Sequence, residues 1–137
     1  MGKIKLNVQT NEKEVSAFLA SLKRTLCSEE FDIDKDFMMV RKKKEPGKEQ
    51  YSTIYTLADL DYDVSDVIER LKELTIKEYS ETLMDIDDVN PPLLFVFGKD
   101  INGKQVYIKL KLKGEQARHV LCVSFHYAER NMTFPFA

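Results

Sequence analysis

Tryptophan is absent, cysteine occurs twice, and glycine and proline together account for nine of the 137 residues. With so few breakers and no low-complexity segment, fibrous and largely disordered chains are excluded. No apolar run approaches the ~18 residues of a membrane helix. The stretch from Met1 to Leu6 has no continuous apolar core, so a secretory signal is not expected either, and Leu6 stands where a myristoylation pattern needs Ser or Thr. A cytoplasmic protein with no membrane partner is the expectation. In that compartment Cys27 and Cys122, both inside apolar patterns, are expected as two reduced, buried thiols. Two cysteines and two histidines without CxxC or HxxxH spacing give no zinc site, and no metal or other cofactor is expected.

What the chain does have is an ordinary globular balance, 43% hydrophobic and 32% charged residues. The length suits one domain spanning residues 1–137, which should bury roughly two thirds of its unfolded surface. The net charge of −2 is unevenly spread. Residues 1–50 carry a net +2, residues 51–92 a net −8 and residues 93–137 a net +4. A uniformly basic nucleic-acid binder is therefore excluded, whereas a local basic face is not.

Residues 3–9 alternate and read as a short strand. Asn11 and Glu14 form a helix-start signal, after which Val15, Phe18, Leu19, Leu22 and Leu26 recur at helical spacing. Phe37 to Val40 reads as a strand leading into the cluster Arg41-Lys42-Lys43-Lys44. After Pro46-Gly47, the Tyr- and Thr-rich stretch from Gln50 to Thr56 reads as the return strand of a hairpin. Asp63 starts a second helix through Leu74, and Thr75 with Glu78 predicts a third, short helix containing Tyr79 and Leu83. Asp85 to Pro92 reads as a solvated acidic loop, since it lacks the spacing and glycine of a calcium site. Leu93 to Phe97 is apolar throughout, as in a strand covered on both faces. Asn102-Gly103 signals a tight turn, Gln105 to Lys113 alternates cleanly, and His119 to Tyr127 forms a further strand. The expected fold class is α+β, an antiparallel sheet of about five or six strands with the N-terminal and middle helices packed on one face.

Alternation places Tyr107, Lys109, Lys111 and Lys113 on one side of their strand, about 7 Å apart at each second residue. On the neighbouring strand the same rule puts Cys122, Ser124 and His126 on one face. If the two faces coincide, a phenol, an imidazole and several ammonium groups converge. Such a set suits metal-free RNA cleavage, in which a base removes the 2′-OH proton, an acid protonates the 5′-oxygen and cations stabilise the phosphorane. The bland reading is a half-exposed strand whose lysines guard against aggregation. Ser124 lacks a GxSxG context, and there is neither a GxGxxG nor a Walker loop. A small-molecule enzyme built on Cys122 lacks a placed base.

Three stretches, Tyr55-Thr56-Leu57-Ala58-Asp59-Leu60, Gly103-Lys104-Gln105-Val106-Tyr107-Ile108-Lys109-Leu110 and Val120-Leu121-Cys122-Val123-Ser124-Phe125-His126, together with Val96-Phe97-Gly98-Lys99, resemble the MqsR-type toxins of bacterial type II toxin–antitoxin systems. The resemblance runs through most of the chain. It implies a RelE-like fold and a metal-independent endoribonuclease, an mRNA interferase that cuts single-stranded mRNA and is neutralised by a cognate antitoxin protein, with the ribosome as a further possible partner. It implies catalytic roles for Tyr107 and Lys109, and for His126, which stands where the best-known members have a lysine. Lys99 matches a basic residue near the active surface, and with Lys111 and Lys113 it completes the expected RNA-binding set. The alternative is a toxin-like domain that has lost cleavage and acts as a protein–protein interaction module. It draws on the lack of a glutamine near Phe95 to Phe97 and on Ser80, which stands where the family has a lysine.

Overall fold

The structure, a computed structural model, describes residues 6–137. Elements follow in the order α1 (Glu12–Leu26), α2 (Ile33–Asp36), β1 (Phe37–Met39), α3 (Thr53–Leu60), α4 (Val64–Lys72), β2 (Tyr79–Met84), β3 (Leu93–Ile101), β4 (Lys104–Lys113) and β5 (His119–Tyr127). The five strands form one sheet in the order β1-β5-β4-β3-β2. Neighbours run antiparallel except β1, which lies parallel to β5. The fold is α+β, and the sheet is mixed rather than wholly antiparallel.

The predicted helix α1 is present, with the Asn11 side chain accepting from the Glu14 amide at 2.8 Å and the Glu14 carboxylate accepting from the Asn11 amide at 3.3 Å. That reciprocal cap satisfies two of the orphan donors at the helix start. Asp63 and Asp66 cap α4 in the same way. Val15, Leu22, Val67 and Leu71 are fully buried in one cluster with Phe97, Val106, Ile108 and Phe125 of the sheet. Each such side chain contributes roughly 1.5–3 kcal/mol through burial. A smaller cluster of Leu83, Leu94 and Val96 lies on the opposite face, packed by Tyr107, Val123 and Met132 with no helical residue among them. Strand β3 is thus covered on both sides, as its unbroken apolar run requires.

Two sequence expectations are corrected. Residues 50–56 are not a return strand. Ser52 caps α3 by accepting from the Tyr55 amide at 3.1 Å, and the hydroxyls of Thr53 and Thr56 accept from the amides of Phe125 and Tyr127 at 3.4 and 3.0 Å. Strand β1 covers β5 only as far as Cys122, so these hydroxyls take the edge donors that a longer strand would have taken. The β-propensity of the threonines is overridden by this tertiary demand. The Thr75–Glu78 cap also exists, but it launches a single 3₁₀ turn, Ile76–Glu78, followed by β2. A bulge at Ser80 breaks the alternation there. Tyr79 consequently joins the helix-side core while Leu83 faces the other way, so their i, i+4 spacing was a false helical signal.

The predicted N-terminal strand lies partly outside the described residues. Within them, the Leu6 carbonyl and the Val8 amide bond the outer edge of β2, bridging Asn7 to Leu83. The Asn102-Gly103 turn joins β3 to β4 with both residues at positive φ, 52° and 83°, the requirement that makes Asn-Gly a hairpin signal. No helix among the described residues is long and apolar enough to cross a membrane.

Candidate functional site

The ladder register decides which side chains meet. Tyr107 of β4 lies opposite His126 of β5, and Lys109 lies opposite Ser124. Directly opposed residues share a face, and here it is the face without helices. The Tyr107 and His126 rings stack, with centroids 5.2 Å apart and planes 13° from parallel. The Lys109 ammonium lies 6.0 Å from the Tyr107 ring centroid. The sequence-predicted phenol, imidazole and ammonium therefore do come together.

They meet because of a feature that strict alternation misses. Between the Lys109–Ser124 and Leu110–Cys122 pairs, β5 carries an extra residue, Val123. This bulge shifts the phase of the strand. Cys122 accordingly points into the helix-side core and His126 onto the open face, which corrects the expectation that the two share a side. Burial pushes the Cys122 thiol up to about 12, so it holds no nucleophilic thiolate at neutral pH. Cys27, expected to be buried, is exposed just beyond α1.

Burial shapes both partners in the stacked pair. Desolvation pushes the Tyr107 phenol up to about 12, reinforced by the Glu81 carboxylate, so it keeps its proton. His126 is lowered, first by burial and then by the nearby Lys44 and Lys109 ammonium groups. Its contact with the Tyr127 carbonyl and the presence of Glu129 oppose that shift without reversing it. Nδ1 of His126 lies 3.0 Å from the Tyr127 carbonyl oxygen. A carbonyl can only accept, so the neutral ring carries its proton on Nδ1 and leaves a lone pair on Nε2. A protonated phenol beside a neutral imidazole is a matched donor and acceptor.

Sequence reasoning missed two charged groups that act on this trio, Glu81 on Tyr107 and Lys44 on His126. Glu81 lies one strand beyond Val96, which itself pairs with Lys109, so the acid and the ammonium share a row across three strands. From sequence its segment reads as helix, which hides the placement. Lys44 belongs to the basic run 41–44, visible as a charge cluster but not as a neighbour of His126.

The three lysines expected to bind RNA fare differently. Lys99 pairs with Val106, which faces the helices, so it lies on the opposite side of the sheet from Tyr107. There its ammonium meets Glu78 at 3.3 Å and Glu73 at 3.5 Å. Lys111 is on the expected face but 0% exposed, held by the Asp85 carboxylate and the Asp88 carbonyl, each at 2.7 Å. Lys113 binds the Asp88 carboxylate at 2.5 Å. The acidic loop 85–92, read as solvated, thus reaches onto β4 and occupies these two cations. Asp85 explains the difference. It is 9% exposed, and a buried carboxylate requires a paired cation.

The open face is not a deep cleft at Tyr107. A cleft of about 680 Å³ lies between α1 and the β4–β5 connection, and another of about 440 Å³ lies at the start of β4, and neither is lined by Tyr107, Lys109 or His126. The C-terminal segment crosses beside them, where a Cβ at Gly98, the residue opposite Tyr107, would come within 2.8 Å of Met132 and Phe134. Among the described residues no three His, Cys, Asp or Glu side chains are grouped to hold a metal ion. No protein-family model, curated protein or solved structure matches this chain.

Proposed function

We propose that the chain is a metal-independent endoribonuclease of MqsR type with a RelE-like sheet, a toxin that cuts single-stranded mRNA and is held in check by a cognate antitoxin protein. The observation that carries the reading is the stack of Tyr107 on His126 with the Lys109 ammonium beside it. In this scheme Nε2 of neutral His126 takes the proton from a ribose 2′-OH. The 2′-oxygen attacks the adjacent phosphorus, the bond to the 5′-oxygen breaks, and the Tyr107 phenol donates its proton to that leaving oxygen. The products are a 2′,3′-cyclic phosphate and a 5′-hydroxyl. In this scheme Lys109 and Lys44 supply the positive charge that offsets the phosphorane. Lys99, Lys111 and Lys113 do not enter the scheme, because carboxylates already hold them.

The test is cleavage of a defined mRNA by the purified protein in EDTA, with and without ribosomes, alongside Tyr107→Phe and His126→Ala. Fragments with 5′-hydroxyl ends that disappear in both variants are expected. Intact RNA with wild-type protein under every condition would remove the enzymatic reading. One observation favours a second reading, a lapsed toxin domain that serves as an interaction module. The phenol is half-buried, and Met132 and Phe134 lie against the neighbouring Gly98 position. Antitoxin capture without any RNA cleavage would be its signature.

A further inference from the structure

The cleft of about 440 Å³ opens at the end of the β4–β5 pair, where Val106 pairs with Tyr127 on the helix side, the face opposite Tyr107 and His126, and the Ala128 amide bonds the Gln105 carbonyl at 2.9 Å. Its size falls in the roughly 300–1,000 Å³ range of small-ligand sites. Three tyrosines, Tyr51, Tyr55 and Tyr127, line it. Tyr127 is fixed on several sides. Its hydroxyl donates to Asp59 at 2.5 Å, the Lys104 ammonium lies 4.7 Å over its ring, and Tyr55 meets it edge-on at 6.4 Å. Tyr55 itself is 43% exposed, so an aromatic surface remains open to a ligand.

The remaining lining is polar and carries positive charge at the mouth. Gln50, Gln105 and Asn131 each offer an amide donor and acceptor, Arg130 supplies a cation, and Lys104, though 3.6 Å from Asp59, keeps its side chain 59% exposed and within reach of a ligand. The acids nearby are already engaged, Asp59 by Tyr127 and Lys104, and Glu129 by Lys48 at 2.7 Å. An exposed ring, three amides and two cations form the chemistry that receives a splayed-out nucleobase and its phosphate.

We propose that this cleft is a base-recognition subsite: it receives one unpaired nucleobase of a single-stranded RNA, stacked on Tyr55, whose backbone then passes round the end of the sheet at Gln105, a lining residue on the Tyr107 side of β4, to reach Tyr107 and His126. The inference rests on the endoribonuclease reading and adds to it the position that chooses where the strand is cut. The amides read the base edge, and Lys104 and Arg130 hold the flanking phosphate.

The test uses the full chain and a short 2′-O-methyl oligonucleotide, which lacks the attacking hydroxyl and so separates binding from cleavage. Fluorescence anisotropy is expected to show binding to wild type weakened about tenfold in Tyr55→Ala, within the range for one stacked base, and almost unchanged in Tyr55→Phe. Removing the base at one oligonucleotide position should weaken wild type by a similar factor and leave Tyr55→Ala nearly unaffected. Lys104→Ala, at a well-exposed position, should weaken binding with a reduced salt dependence, and it stands in if Tyr55→Ala melts early. Equal affinity of wild type and Tyr55→Ala overturns the inference, as does equal competition by a base-free polyphosphate. If wild type discriminates bases yet leaves cleavable RNA intact, the cleavage reading falls and the base site stands. If wild type cuts RNA while Tyr55→Ala cuts it at the same sites with equal affinity, only the base site falls. Failure of wild type to bind any oligonucleotide removes both.

Discussion

Strand β4 presents Tyr107, Lys109, Lys111 and Lys113 on one face, and its two halves have opposite fates. Tyr107 and Lys109 lie beside a stacked imidazole on the open face. Lys111 and Lys113, the next two residues in the same alternation, are clamped by Asp85 and Asp88. Periodicity assigns all four to one side and is right to do so. Which of them can meet a ligand depends on what a distant loop lays across the strand. The lysine-rich half of β4 is a fastening, and the aromatic half is a candidate for chemistry.

The largest effect should come from the fastening. Lys111→Met leaves the Asp85 carboxylate buried without its cation, and breaking a buried pair from one side should cost about 3 kcal/mol. Urea unfolding would register this as a lower midpoint with an unchanged slope. Adding Asp85→Leu to Lys111→Met should restore much of the loss, since an apolar pair has no stranded charge. A single variant as stable as wild type would show that the clamp contributes nothing. The pH response has a definite sign. Burial alone raises Asp85, but the Lys111 ammonium and the Asp88 and Asp87 amides outweigh it and hold the carboxyl below its usual range. That contribution is present above about pH 4, where the unfolded chain's aspartates ionise, and is lost as pH falls through the lower folded value.

Next in size is the aromatic half. Tyr107→Phe and His126→Ala each remove one proton-transfer group, so each should slow cleavage by about 10²–10⁴-fold. Stability should move far less in Tyr107→Phe, which keeps the ring and the stack. If Lys111→Met and Tyr107→Phe lowered stability and cleavage in the same proportion, the contrast between the halves would collapse.

How much of this was readable beforehand follows from the same contrast. Caps and apolar spacing announced α1 and α4 because their signals are local and need no partner. The β3–β4 hairpin was legible for the same reason, through Asn102-Gly103 and an unbroken alternation. What failed depended on partners far away in sequence. Thr53 and Thr56 became helical because β5 had edge amides to satisfy, more than 70 residues away. The trio was legible in its composition, yet its assembly turned on the Val123 bulge, which no residue type announces. Lys99 went to the helix side because it pairs with Val106, and Glu81 was hidden inside a segment that reads as helix.

A smaller effect concerns pH and cleavage. With His126 lowered, the rate should climb with pH through a midpoint below the ordinary ~6.5 of histidine and then stay level. The alkaline decline, set by Tyr107, should come only toward about 12. Lys44→Gln removes a cation that disfavours the imidazolium, so the acid limb should move to higher pH, as a profile of kcat/KM would show. NMR titration of the His126 ring gives the same midpoint without turnover. An acid limb whose midpoint differs from that of the His126 ring would remove His126 as the base.

The smallest effect should come from Lys113→Ala, and it separates burial from charge within the clamp. Lys113 and Asp88 make the shorter contact, 2.5 Å, yet their side chains are 39% and 40% exposed, against 0% and 12% for Lys111 and Asp85. Water screens the outer pair and resolvates Asp88 when its partner is removed, so little stability is at stake. The inner pair has no such recourse. Lys113→Ala should therefore shift the melting temperature only slightly, and the shift should shrink further in 1 M salt, where the screening length is about 3 Å. The loss in Lys111→Met should persist in that salt, because ions do not reach a buried carboxylate. Were the two variants to respond to salt alike, distance rather than burial would govern the clamp, and the division of β4 into a fastening and an open half would need a different cause.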